Sequence, residues 1–214
     1  RGRYSTSVEW LSARHRESAI GSDAVAPDQE HPTRAGIPIG DLGGGMFGVM
    51  GILAAALERE RSGQGQHVDI SMLDCQISML NYMATMHFLS GETPTPIGNA
   101  HFVHVPYNSY ATSDGHIIVA VIFDSFWLNL LEVIDYPPFR DEKYLTQPGR
   151  LADKALIDSK LSEIFSTNSC EFWLTQLQEK RIPSARINQL GEALADEQVL
   201  SRNMVVDLYH PNGK

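Results

Sequence analysis

A chain of 214 residues, 43% hydrophobic and 20% charged, is long enough to bury one sizeable core, or a core and a smaller domain. Its formal net charge of −9 argues against nucleic acid or an anionic membrane as the main partner, because either calls for a surplus of Lys and Arg. The two cysteines, Cys75 and Cys170, stand far apart in no C-x-x-C pattern, so no zinc or disulfide framework is expected and a reducing compartment fits.

Residues 1–20 are polar, with a weakly amphipathic stretch from Val8 to Ala19, and residues 21–36 read as a connecting loop rich in Pro, Gly and Asp. Arg1-Gly2-Arg3-Tyr4 has neither an initiator Met nor an apolar core, so no signal peptide is expected and the chain reads as starting partway through a longer protein. Ile37-Pro38-Ile39 is a short extended piece. Gly43 to Glu60 is helical and apolar nearly all round, but its run Met46–Leu57 falls short of the roughly 18 apolar residues of a membrane span. A buried core helix is predicted there. His67 to Ser71 is strand-like, and Met72 to Leu89 places Leu73, Ile77, Leu80, Met83 and Met86 at helical spacing. Together these make a helix–strand–helix unit of α/β character.

Gly91 to Pro106, punctuated by Pro and Gly, marks a boundary, which divides the chain into residues 1–35, 36–97 and 98–214. Beyond it Tyr107–Thr112 and His116–Ile122 flank Asp114-Gly115, a hairpin signal because Gly tolerates the positive φ of a tight turn. Asp124 is placed to cap a helix over Ser125–Ile134, with Phe126, Leu130 and Val133 on one face. Two helices are predicted over Leu151–Phe165 and Cys170–Lys180. Ile182–Ile187, a short helix near Glu192 and a strand-like Met204–Tyr209 close a small α+β domain.

The richest segment is Gly36-Ile37-Pro38-Ile39-Gly40-Asp41-Leu42-Gly43-Gly44-Gly45-Met46-Phe47-Gly48. Three successive glycines ahead of an apolar helix cost backbone entropy, so an open backbone is needed there. A helix start offers free N–H groups and a positive dipole end to an anion. Asp41 is therefore either a helix cap or a nucleophile. Gly43, Gly45 and Gly48 also satisfy G-x-G-x-x-G, with Asp69 at the distance of a ribose-binding acid, but Gly36 and Pro38 stand where that fingerprint requires a strand. His101 and His104 form H-x-x-H without a third ligand nearby, so loop hydrogen bonding or substrate contact is expected in preference to a metal.

The run GIPIGDLGGGMFGVMGILAAALERERSGQGQHVDISMLD resembles the signature of the family III (CaiB/BaiF-type) coenzyme A transferases. Gly98-Asn99-Ala100-His101 through Pro106-Tyr107, the Asp114-Gly115 turn and Phe126-Trp127 resemble the opening of that family's second domain. The resemblance implies an α/β fold: part of a Rossmann-like large domain carrying the catalytic Asp, followed by the small α+β domain. It implies that Asp41 is the nucleophile, forming an acyl anhydride and then an aspartyl-CoA thioester, as CoA passes from an acyl-CoA to a free carboxylic acid. Gly43, Gly44 and Gly45 are then candidates for oxyanion stabilisation, with His101 and His104 near the substrate. No permanently bound cofactor or metal is implied; CoA and acyl-CoA are substrates. The implied partner is a second copy in an interlocked homodimer, with no nucleic acid and no membrane, in the cytoplasm or, in a eukaryote, the mitochondrion.

Two other readings stand beside this one. The α-methylacyl-CoA racemases resemble the chain around GDLGGGMF and use the same Asp as a base; their partner Glu falls at Phe123, beside Asp124. The third reading is a non-catalytic fragment that lacks the CoA-binding half, or a subunit that requires a companion chain.

Overall fold

The computed structural model of the chain describes residues 36–92, 97–209 and 213. The features expected at residues 1–35 lie outside the described residues. The chain divides into two units, Arg1–Phe102 and Val103–Lys214.

In the first unit the apolar run becomes helix α1 (Ile39–Ser62), which starts ahead of its expected beginning and takes Gly43, Gly44 and Gly45 into its body. It stops at Gly63, whose φ of 72° lets the N–H turn back to the carbonyl of Arg59 at 2.8 Å. A glycine inside a helix costs about 1 kcal/mol relative to alanine, and here close packing offsets part of that cost. A Cβ on Gly40 would lie 2.7 Å from Gln76 Nε2, one on Gly43 2.8 Å from Met79 Cε, one on Gly44 3.2 Å from Met72 Cγ, and one on Gly51 2.8 Å from Val68 Cγ1. The glycines form a seam against which helix α2 (Met72–Met79) and the segment before it lie.

The expectation of a buried core helix is corrected. Met46, Val49, Met50, Ile52, Leu53 and Leu57 of α1 are all exposed. The helix is also long and apolar enough, by length and composition, to cross a membrane, with 11% of its most apolar stretch buried. Counting an unbroken apolar run missed this because the helix runs through the glycines and Asp41 instead of beginning after them.

Residues 67–71 form no strand. They run extended past α1, with Val68 and Ile70 against Gly51, and no described strand lies beside them to complete a ladder. Ser71 accepts the N–H of Asp74 at 3.3 Å and so starts α2. The single helix expected over Met72–Leu89 is broken, because Asn81 takes a φ of 50° and a new helix, α3 (Tyr82–Ser90), begins after it.

The second unit holds an antiparallel sheet ordered β1-β2-β3, from β1 (Tyr107–Ala111), β2 (His116–Ala120) and β3 (Ser184–Arg186). Tyr107 pairs with Ala120 and Ala111 with His116, and Ile117 pairs with Arg186. The hairpin stands where the sequence placed it, for a different reason: a Cβ on Gly115 would come 3.1 Å from Cys170 Sγ, and its φ is not in the left-handed range. Asp114 fastens the turn by accepting the N–H of Cys170 at 2.7 Å and the hydroxyl of Thr112 at 3.1 Å.

Helices α4 (Asp124–Ile134), α5 (Gln147–Ala152), α6 (Lys154–Phe165) and α7 (Cys170–Glu179) follow, with two 3₁₀ turns, Pro137–Arg140 and Glu142–Leu145, between α4 and α5. The core is built where Trp127 and Leu130 of α4, Phe165 of α6 and Leu177 of α7 meet Ile117 and Val119 of β2. The helix expected over 151–165 is divided at Asp153. Two short helices, α8 (Leu190–Ala195) and α9 (Glu197–Ser201), close the described fold; Gln189 and Glu192 make a reciprocal capping box at the start of α8. Met204–Tyr209 forms no strand, since no described strand pairs with it.

Candidate functional site

The residue that the sequence marks most strongly, Asp41, is the third residue of α1 and the acidic group of its first turn. Pro38, at the cap position, offers no side-chain hydrogen bond. Of the N–H groups that a helix start leaves open, Ile39 donates to Ile37 O at 2.9 Å and Leu42 to Pro38 O at 3.0 Å. Those of Gly40 and Asp41 have no partner among the described residues. The Asp41 side chain is exposed, while Gly40 behind it is buried. An exposed carboxylate thus sits at the positive end of a 24-residue helix beside two unengaged backbone donors.

Gly43, Gly44 and Gly45 stand inside the helix, where the N–H of each is directed to the carbonyl four residues earlier. Gly43 is buried in the seam with α2, whereas a Cβ on Gly45 would meet nothing within 4 Å. The backbone donors left at this end are accordingly those of Gly40 and Asp41. The G-x-G-x-x-G match lies wholly within α1, with no strand ahead of it among the described residues, so it does not form a dinucleotide-binding turn.

The two histidines of H-x-x-H belong to different units, His101 to the first and His104 to the second. The His101 ring stacks on Phe102 with centroids 4.4 Å apart, and Phe102 lies 5.7 Å from Tyr82. Among the described residues no three His, Cys, Asp or Glu side chains gather in one place.

Asp124 is the first residue of α4 and makes no cap hydrogen bond. Its carboxylate accepts instead from Nη2 of Arg150 at 2.7 Å. Arg150 is fully buried and spends three more of its five donors on Val105 O, Tyr144 O and Gln147 Oε1, each at 2.8 Å. Phe123, ahead of Asp124, is 62% exposed.

Sequence reasoning passed over two buried polar side chains, Arg150 and Gln76. Arg150 reads as one more charge in a turn-rich stretch. Gln76 follows Cys75 in an apolar helix, and a lone Gln carries no motif; its signal is that a polar residue shares a helix face with Met72 and Met79, both of which meet the glycine seam.

The sequence profile of CoA-transferase family III matches residues 17–214. The chain belongs to that family. Over 180 residues it is 32% identical to the succinyl-CoA:mesaconate CoA-transferase of Haloarcula hispanica, a match covering 84% of this chain and 45% of the relative. It is 33% identical over 192 residues to the succinate–glutarate CoA-transferase of Agrobacterium fabrum, covering 87% of this chain and 47% of that one. The chain thus spans about half the length of these curated relatives. The crystal structure of a CaiB/BaiF family protein from Brucella suis superimposes with a TM-score of 0.79 at 27% identity, over 98% of this chain and 53% of that protein. The fold of this family III chain is accordingly α/β, made of helices and a small antiparallel sheet, as part of a larger architecture.

Proposed function

We propose that the protein to which this chain belongs transfers CoA between an acyl-CoA and a free carboxylic acid, with Asp41 as covalent carrier. The observation that carries this reading is the exposed carboxylate of Asp41 in the first turn of α1, beside the unengaged N–H groups of Gly40 and Asp41.

A carboxylate oxygen of Asp41 attacks the thioester carbonyl; the C–S bond breaks, CoA leaves as thiolate, and an acyl–aspartyl anhydride remains. The thiolate then attacks the Asp41 carbonyl, expelling the first acid as carboxylate and leaving an aspartyl-CoA thioester. An incoming carboxylate attacks that carbonyl and expels the thiolate, which finally attacks the new acyl carbonyl and frees Asp41. Every step exchanges one acyl bond for another, so no proton is gained or lost over the cycle. The covalent intermediate divides one difficult exchange into easier ones. Backbone donors at the helix start stabilise the oxyanion of each addition, worth roughly 3–4 kcal/mol per donor in acyl-transfer enzymes. Gly40 supplies a donor to the first addition, while Asp41 is still free; Asp41 supplies its own N–H; and Gly45, open where Gly43 and Gly44 pack against α2, contributes the space that a close approach needs. His101 and His104 are assigned to substrate contact.

The relatives are named for succinyl, mesaconyl and glutaryl exchange, which supports short dicarboxylates as donor and acceptor. The exposed apolar face of α1 supports an obligate partner, in the form of an interlocked second copy together with the chain length that the relatives have in addition. A cytoplasmic or mitochondrial setting is proposed from the two widely spaced cysteines. The racemase reading gains nothing from the site, because Phe123 stands at the position of the required acid and Asp124 is committed to Arg150.

Incubation of the whole protein to which this chain belongs with succinyl-CoA and ¹⁴C-glutarate tests the reading. Label is expected in the CoA thioester pool and is expected to vanish in Asp41→Ala. Absence of label transfer, or deuterium uptake at the α-carbon of a 2-methylacyl-CoA without exchange, would overturn it.

A further inference from the structure

Two polar side chains are buried among the described residues, and they differ in one respect. Each guanidinium nitrogen of Arg150 has an acceptor. Gln76, 6% exposed, keeps an Oε1 that no donor reaches. A buried amide oxygen without a donor loses its hydration and receives nothing in exchange. Its carboxamide lies against Gly40, where a Cβ would be 2.7 Å from Nε2 and 3.7 Å from Cδ. Gly40 has an N–H without a partner, and the residue after it is Asp41. The carboxamide therefore adjoins the residue that holds the idle donor, at the start of an uncapped helix, and a half-turn of the carboxamide brings Oε1 to the place of Nε2.

In the resting state the negative charge of Asp41 complements the positive end of α1. Acylation turns that carboxylate into a neutral anhydride or thioester and removes the compensation. We propose that Gln76 is a positioning residue which accepts the Gly40 N–H through Oε1 while Asp41 carries an acyl or CoA adduct. This rests on the covalent role proposed for Asp41. By holding the first turn of the helix in place, Gln76 keeps the carbonyl of Asp41 where the next nucleophile arrives.

The charge can be removed without any catalysis, which separates this inference from the reading it rests on. In Asp41→Ala of the full chain, amide hydrogen exchange at Gly40 slows at least tenfold against wild type, and the side-chain amide resonances of Gln76 shift. In Asp41→Ala with Gln76→Met, the slowing at Gly40 disappears. Equal exchange in the single and double variants, or Gln76 resonances indifferent to Asp41→Ala, overturns the proposal; the resonances decide the matter from the single variant should the double variant not fold. In parallel, Gln76→Met alone lowers the yield of hydroxylamine-trapped adduct at Asp41 about tenfold with the KM for acyl-CoA unchanged. Coupled exchange without any adduct in the wild type would refute the covalent reading alone, whereas adduct without coupling would refute the role of Gln76 alone.

Discussion

Arg150 and Asp124, 26 positions apart, meet at 2.7 Å with the guanidinium fully buried and the carboxylate side chain 55% exposed. The pair ties the start of α4 to α5, and the same guanidinium holds the carbonyl of Val105, the first buried residue of the second unit, at 2.8 Å. Its two ends are unequal. Arg150→Met leaves buried carbonyls of Val105 and Tyr144 without donors and is expected to cost roughly 1–3 kcal/mol for each. Asp124→Asn, at the exposed end, is expected to cost less than about 1 kcal/mol. Urea unfolding followed through Trp127, whose ring lies 5.3 Å from the guanidinium, checks both. Equal effects would show that the pair does not anchor the unit through its buried member.

Glycines separate into those the packing requires and those it leaves open. A Cβ at Gly149 would fall 1.7 Å from the backbone oxygen of Lys143, which cannot turn aside, so Gly149→Ala is expected to cost about 3 kcal/mol. At Gly45 nothing lies within 4 Å, and Gly45→Ala is expected to raise stability by about 0.5–1 kcal/mol through the helix preference for alanine. Thermal melting of the two variants should move in opposite directions.

The carboxyl of Asp114 is held below its ordinary value of 3.8, chiefly because it accepts the backbone N–H of Cys170, with Thr112 and Arg186 adding to the effect. A carboxyl depressed in the folded state contributes stability above its unfolded pKa, and that contribution is lost as pH falls through the depressed value. Wild type should therefore melt above Asp114→Ala at neutral pH, by an increment constant down to the ordinary value and shrinking below it. An increment that grows on acidification would contradict the assignment.

Leu53 and Leu57 lie four residues apart on the exposed apolar side of α1. Contiguous apolar surface on a helix of this length is a contact face. Sedimentation should find the chain associated, and Leu53→Glu combined with Leu57→Glu should shift it to monomer. A wild-type chain monomeric at high micromolar concentration would exclude self-association through this face.

The hairpin, Asp41 at the start of a long helix, and the helices Asp124–Ile134 and Cys170–Glu179 of the second unit were legible because each follows from local signals: turn residues, helical spacing, one acid ahead of glycines. What stayed hidden depends on neighbours distant in sequence. Gly43 and Gly44 read only as open backbone, because their packing against Met79 and Met72 is tertiary. Asp124 read as a cap because Arg150, 26 positions on, competes for it. The break at Asn81 stands in a run with uninterrupted helical spacing. His67–Ser71 and Met204–Tyr209 have strand composition but no strand beside them among the described residues, and composition does not supply a partner.

The central claim is that Asp41 becomes covalently modified. Intact-mass spectrometry of the chain after incubation with succinyl-CoA, with and without hydroxylamine, addresses it directly. The account predicts a CoA or hydroxamate adduct that maps to Asp41 and is missing in Asp41→Ala. A chain that binds succinyl-CoA yet forms no adduct, or an adduct that persists in Asp41→Ala, would contradict it.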